Sequence, residues 1–163
     1  MSLEEKISKI KIVLTDVDGV LTDGGLYYTD EGMVMKRFYV RDGMGAVLLK
    51  DKGIDVGILT SDKSDIAKAR GQRLNFDLVY SGVKNKKETI EEICATRKIK
   101  PENIAFIGDD VNDIEALKIV GLSACPADAI DSVSSFVDYV CKKEGGKGAF
   151  REFADLFLAN KNG

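Results

Sequence analysis

The stretch Ile12-Val13-Leu14-Thr15-Asp16-Val17-Asp18-Gly19-Val20-Leu21-Thr22-Asp23 decides the fold. An apolar run feeds directly into two carboxylates separated by a single residue, and a glycine follows. Ile12 to Leu14 read as a short buried strand. The run breaks where the acids begin, so Asp16 and Asp18 fall at the carboxyl end of that strand, where open parallel sheets bind their ligands. Strand side chains two apart share a face, so a backbone extended through Val17 points both carboxylates into one crevice. Gly19 then lets the chain turn away without placing a side chain there. Two carboxylates held close repel each other and favour a divalent cation between them. The competing reading is an acid-rich turn after a core strand.

The 163 residues suit a single domain, 1–163, with a real core. At 44% apolar and 31% charged residues, the composition is that of an ordinary globular protein. A net charge of -3 gives no basic field for nucleic acid or anionic lipid. No apolar run approaches the roughly 20 residues of a membrane span, and Met1 to Lys11 lacks a secretory apolar core. Cys94, Cys125 and Cys141 have no metal-ligand spacing, which predicts buried, reduced thiols in a cytoplasmic protein. The chain has no histidine, so His-dependent triads and His metal sites are excluded.

Further strands are predicted at residues 54–59, 78–80, 104–107, 122–125 and 136–140. Helices are predicted from Asp42 to Lys50, Ser64 to Leu74, Asn85 to Lys98, Asp110 or Asn112 to Val120, and Ala149 to Ala159, with a short helical turn before Ile10. Asp42 is the expected cap of its helix. Leu26-Tyr27-Tyr28 and Met33 to Tyr39 flank a hairpin loop, Thr29 to Gly32. Lys36 to Arg41 extend this into a basic, aromatic strand, either a solvated edge or a binding element. Gly145-Gly146-Lys147-Gly148 reads as a flexible loop. Alternating strands and helices make the class α/β: a doubly wound, Rossmann-like parallel sheet with a β-hairpin inserted after strand 1 and no cap domain.

Asp16/Asp18, Thr60, Lys86 and Gly108-Asp109-Asp110-Val111-Asn112-Asp113 all fall at strand ends or adjacent loops of that sheet. In this order and context they resemble the four motifs of the haloacid dehalogenase superfamily of phosphohydrolases. Lys84 and Lys87 compete with Lys86 for the third motif, and Thr60 alone would also serve as a helix cap. The resemblance implies that Asp16 is the nucleophile, forming an aspartyl-phosphate, and that Asp18 is the acid and then the base. Thr60 and Lys86 would bind the phosphoryl group. Asp16, the Asp18 backbone carbonyl and Asp109 would hold Mg²⁺. Asp110 and Asp113 would orient the site, Asp113 by pairing with Lys86.

Gly24-Gly25-Leu26-Tyr27, Gly82, Val120 to Ala124, Pro126 to Ala129 and Gly145 to Glu152 narrow the resemblance to a capless subfamily. Its members act on 3-deoxy-D-manno-octulosonate 8-phosphate or nonulosonate 9-phosphates, in lipopolysaccharide or sialic acid biosynthesis. It implies a small sugar-phosphate partner, a homotetramer assembled through the hairpin, and no nucleic acid or membrane. The octulosonate enzymes usually carry Gly-Arg after the motif-two threonine; here Ser61-Asp62-Lys63 stand there. That departure favours the nonulosonate 9-phosphate, with the octulosonate 8-phosphate close behind. Thr60, Ser61, Asp62, Lys63, Arg70, Arg73, Lys147 and Arg151 are the expected substrate contacts, although Arg70 and Arg73 also read as a solvated basic face. Two other classes compete. A receiver-like phosphoacceptor would need an aspartate where Leu59-Thr60 ends its strand. A catalytically weak oligomerisation module, like the domain fused to CMP-sialate synthetases, would not need intact Asp16, Asp18, Lys86 and Asp109.

Overall fold

The computed structural model describes residues 1–159; the last four residues of the expected domain, 160–163, lie outside the described residues. The main sheet contains β1 (Ile12–Thr15), β4 (Asp55–Leu59), β5 (Leu78–Tyr80), β6 (Ile104–Ile107), β7 (Leu122–Cys125) and β8 (Tyr139–Val140). All neighbours run parallel, in the order β5-β4-β1-β6-β7-β8. β1 is therefore central. The chain first steps outward through β4 and β5, then crosses to the other side of β1 for β6. That reversal opens a crevice at the carboxyl ends of β1, β4 and β6.

Every residue of β1 and β6 is buried, as a strand covered on both faces requires. Val13, Ala105 and Ile107 face one apolar layer. It includes Ala46 and Leu49 of α2 (Val40–Asp51), Ile7 of α1 (Leu3–Ser8), Ala67 of α3 (Asp65–Arg73), and Phe150, Phe153 and Phe157 of α7 (Ala149–Ala159). Ile12, Leu14, Ile104 and Phe106 face the opposite layer, with Ile90 and Ile93 of α4 (Lys86–Arg97), Leu117 of α5 (Ile114–Ile119) and Val133 of α6 (Asp131–Ser134). The apolar stripe of α7 carries three phenylalanines in this core, and Phe153 and Phe157 meet edge-to-face at 5.3 Å. Cys94, Cys125 and Cys141 are buried and free.

The hairpin forms its own two-stranded sheet, β2 (Tyr27–Thr29) against β3 (Gly32–Met35). Residues 36–39 are not strand, and Val40 and Arg41 already belong to α2, which corrects the strand expected over Lys36 to Arg41. The cause is tertiary: Lys36 and Phe38 turn inward to different partners, which breaks the ladder. Asp42 does not cap α2 either. It sits buried in the first turn and accepts the Arg151 backbone N–H at 2.9 Å, near the start of α7. Burial, partly offset by Arg151 and Arg70, pushes its pKa up to about 6. The last strand is shorter than the five residues read from sequence, because Phe136 still belongs to the turn that ends the 131–134 helix, its N–H donating to Val133 O at 3.3 Å, and only Tyr139 and Val140 pair with β7.

The glycine-rich loop at 145–148 is packed rather than free. Gly146 N donates to Val20 O at 3.0 Å, and Gly145 N donates to Asp128 Oδ1 at 2.9 Å. A Cβ at Gly145 would stand 1.8 Å from the Gly19 carbonyl oxygen, so only glycine lets this loop buttress the turn after β1.

Candidate active site

The site is built by three strand ends. Asp16 leaves β1 with its N–H donating to Ile107 O at 3.0 Å, and its Oδ1 accepts the Val17 N–H at 2.7 Å. The backbone then turns instead of staying extended: Val20, Leu21 and Thr22 all donate to Val17 O. Asp18 reaches the same crevice through this turn, not through strand alternation. Gly19 has φ +85°, and a Cβ there would fall 2.0 Å from Asp109 Oδ2. Gly19 is therefore required both by its conformation and by the close approach of the β6 loop.

Asp16, Asp18, Thr60, Ser61, Asp62, Asp109, Asp110 and Asn112 line an open crevice of about 130 Å³. Thr60 is buried at the end of β4, tied by its N–H to Tyr80 O at 2.9 Å. Asn112 Nδ2 donates to Ser61 Oγ at 3.2 Å across the rim. Asp110 accepts the Val111 N–H at 2.7 Å and caps the helical turn at Val111–Asp113.

Among Lys84, Lys86 and Lys87, the fold buries Lys86, the first residue of α4, behind an Asn85 cap. Its Nζ lies 2.6 Å from Asp113 Oδ1 and 3.1 Å from Asp16 Oδ1. A cation at a helix N-terminus opposes the macrodipole; the two carboxylates outweigh that here. Burial pulls the Lys86 pKa down, but Asp16 and Asp113 hold it above the ordinary lysine value. Asp113 is saturated, since its Oδ2 accepts the N–H groups of Asp109 (2.9 Å) and Asp110 (3.2 Å).

One oxygen each from Asp16, Asp109 and Asp113 lies within 4.8 Å of the others. Burial pushes Asp16 up to about 6, with Lys86 opposing and Asp113 adding. Burial followed by repulsion from Asp16 and Asp113 pushes Asp109 up to about 8. Asp109 Oδ1 is buried without a hydrogen-bond partner among the described residues. An unpartnered buried oxygen beside crowded carboxylates suits a hard divalent cation, whose charge replaces the missing donors. Asp16 and Asp109 have oxygens to offer it, whereas those of Asp113 are already used.

Sequence reasoning offered Lys36 only within a basic stretch, solvated or binding, and not as a site residue. Its side chain is fully buried, and its Nζ lies 2.7 Å from one Asp18 oxygen, 2.9 Å from the other, and 2.7 Å from Asp62 Oδ2. Burial lowers its pKa, but hydrogen bonds to Asp18 and Asp62 more than restore it. Nothing local singles it out from Arg37 or Arg41, because only the return path of the hairpin brings it to Asp18 and Asp62.

The expected substrate contacts divide. Thr60, Ser61 and Asp62 line the crevice, while Lys63 is exposed beside it. Arg70 lies over the Phe38 ring at 5.4 Å, and Arg73 is exposed on the same helix. Lys147 and Arg151 line a larger groove of about 860 Å³, together with Tyr39, Arg41 and Tyr139. That groove contains none of the motif carboxylates, so the chemistry belongs to the smaller crevice. Within one chain, Arg70, Arg73, Lys147 and Arg151 stand outside it.

A family model described as haloacid dehalogenase-like hydrolase matches residues 33–121. The 3-deoxy-D-manno-octulosonate 8-phosphate phosphatase KdsC of Haemophilus influenzae is 40% identical over 156 residues, covering 96% of this chain and 87% of the relative. KdsC of Escherichia coli K12 is 38% identical over 153 residues, covering 94% and 81%. Among solved structures, the cobalt-bound form of the Haemophilus influenzae phosphatase superposes with a TM-score of 0.92 at 40% identity, covering 96% of this chain and 91% of that one. The Moraxella catarrhalis 3-deoxy-D-manno-octulosonate 8-phosphate phosphatase, in complex with magnesium ion, phosphate ion and KDO, superposes with a TM-score of 0.94 at 33% identity, covering 98% and 91%. This chain belongs to the haloacid dehalogenase-like hydrolases, in the capless subfamily of sugar-phosphate phosphatases.

Proposed function

We propose that this chain is a Mg²⁺-dependent phosphomonoesterase that hydrolyses 3-deoxy-D-manno-octulosonate 8-phosphate through an aspartyl-phosphate on Asp16. The observation that carries this reading is the Asp16–Lys86–Asp113 chain beside the unpartnered oxygen of Asp109. A carboxylate, a buried ammonium and an oxygen without a partner among the described residues surround one point, which supports this reading. The names of the relatives support the eight-carbon substrate.

Asp16, Asp109 and the Asp18 backbone carbonyl would hold Mg²⁺, which when bound would supply positive charge against the phosphate oxygens. The remaining steps belong to the chain's own residues. A carboxylate oxygen of Asp16 attacks phosphorus, and the bond from phosphorus to the sugar oxygen breaks. Asp18 delivers its proton to the departing alkoxide. The ionised Asp18 then removes a proton from water, whose oxygen attacks the same phosphorus and releases inorganic phosphate and the Asp16 carboxylate. Thr60 and Lys86 neutralise the phosphoryl oxygens throughout. Asp113 and Asp110 hold Lys86 and the β6 loop in place.

A second reading, a nonulosonate 9-phosphate, is favoured by Ser61-Asp62-Lys63 in place of Gly-Arg after Thr60. Asp62 is engaged by Lys36, which leaves recognition of the sugar carboxylate to other groups.

A crevice of about 130 Å³ is far smaller than the roughly 300 Å³ or more that encloses a small molecule. Nothing in the described part of the chain covers it. The hairpin residues Leu26, Tyr27, Tyr28, Val34 and Met35 are exposed, between 44% and 66%, which is the contiguous apolar surface expected of an interface. A homotetramer joined through these hairpins would bury that surface and cover each crevice with a neighbour.

Steady-state assays on the 8- and 9-carbon sugar-acid phosphates test the substrate. The expected result is higher kcat/KM for the octulosonate 8-phosphate, and loss of at least about 10³-fold in Asp16→Asn with an unchanged melt. Preference for the nonulosonate 9-phosphate selects the second reading, and near-wild-type turnover by Asp16→Asn removes the nucleophile.

Metal and pH act on one cluster. In EDTA, the Tm is expected to fall as pH rises from 6 to 8, because folded Asp109, near 8, binds a proton that the unfolded carboxylate, near 3.8, has already lost. With no histidine in the chain, few other groups titrate there. Mg²⁺ is expected to raise the Tm and flatten this dependence. A metal-independent, pH-flat melt contradicts the assignment.

Sedimentation equilibrium tests assembly. The expected mass is four chains, and Tyr28→Asp with Val34→Asp lowers both mass and activity. A fully active monomer contradicts the assembly.

A further inference from the structure

Lys36 follows β3 directly and reaches two of the carboxylates that line the crevice, Asp18 and Asp62. Its neighbours Met35 and Arg37 are exposed, whereas its own side chain is fully buried. A lysine is rarely buried unless paired, and this one is paired twice. It contacts both oxygens of Asp18, at 2.7 Å and 2.9 Å, and Asp62 Oδ2 at 2.7 Å. Asp62 is a fixed post: Ser64 donates to it through both Oγ and N–H, and the Asp62 carbonyl accepts the Gly82 N–H at 2.8 Å. The Asp18 carboxylate is about one-third exposed, and Lys36 is its hydrogen-bond partner among the described residues. Without that ammonium, no hydrogen bond among the described residues would hold the side chain in place.

We propose that Lys36 is a positioning residue for the proton-transfer step: anchored by Asp62, it clamps the Asp18 carboxylate in the orientation from which Asp18 serves the leaving oxygen. This rests on the phosphatase reading and extends it. It also assigns Asp62 a place in the machinery: the acid where Gly-Arg usually stands is the counter-ion of a hairpin lysine, not a direct reader of the sugar. A salt bridge that merely staples the hairpin would use the same contacts, but it would not care which leaving group departs.

Benzyl, phenyl and p-nitrophenyl phosphates separate these roles. They are similar in size and carry no carboxylate, and they differ in how much the leaving oxygen needs a proton. kcat/KM reports the step in which that oxygen departs. General acid catalysis contributes about 10²–10⁴-fold. Lys36→Met is therefore expected to lose at least about tenfold more on benzyl phosphate than on p-nitrophenyl phosphate, as Asp18→Asn does. The double variant is expected to be no steeper than Asp18→Asn alone, since both act on one step. Lys36→Arg, which keeps the charge, is expected to recover part of the benzyl rate. Asp62→Asn is expected to show the same selectivity in milder form, and it carries the test if Lys36→Met fails to fold. Equal losses on all three esters, or no loss on any, in a variant that melts like the wild type, overturn the role of Lys36. Equal losses in Asp18→Asn overturn the acid role and this inference together. A wild-type protein that hydrolyses none of the three in Mg²⁺ overturns the phosphatase reading itself.

Discussion

The mutual repulsion of Asp16, Asp109 and Asp113, packed at the end of one sheet, is the constraint on which the rest of the structure depends. Two full charges at about 4 Å repel by about 4 kcal/mol at an effective dielectric near 20. The fold meets this in three ways. Lys86 is buried between Asp16 and Asp113. The backbone N–H groups of Asp109 and Asp110 are turned onto Asp113. Asp109 is left with an oxygen that nothing among the described residues satisfies, which a cation would complete.

The order of the strands follows from that site as much as from packing. β1 must lie between β4 and β6 for Asp16, Thr60 and Asp109 to meet. Gly19 and Gly145 then let three loops approach closely enough for the β1 turn to be braced from both sides. Thr15 and Thr22 reinforce the turn through their hydroxyls, to Asp16 O at 2.7 Å and with the N–H groups of Gly19 and Gly24.

The sheet, its helices and the acidic strand ends were legible because each is written locally: an apolar run, then acids, then a glycine. The extended path through Val17 was not, since the turn depends on Val17 O serving three donors. The strand read over Lys36 to Arg41 failed for a related reason. Its alternation is genuine, but Lys36 answers to Asp18 and Asp62, Phe38 to Arg70, and Val40 starts a helix. Asp42 looked like a cap because it precedes an apolar helical pattern; its partner, the Arg151 N–H, lies 109 residues away. Lys36 and Asp42 are both buried charges defined by long-range partners, and no window of sequence reports such partners. The choice of Lys86 over Lys84 and Lys87 likewise came from motif spacing, and its physical reason appears only when Asp16 and Asp113 converge on it.

The account stands or falls on covalent chemistry at Asp16. Acid quenching during turnover, followed by borohydride reduction and peptide mass spectrometry, converts an aspartyl-phosphate to homoserine and locates it. The measurement is best made on Asp18→Asn with p-nitrophenyl phosphate, whose leaving group needs no acid, so that loss of the base lets the phosphorylated enzyme accumulate. The account predicts homoserine at position 16 alone, and only when both substrate and Mg²⁺ are present. Modification at another residue, or none under conditions where phosphate is released, would contradict it.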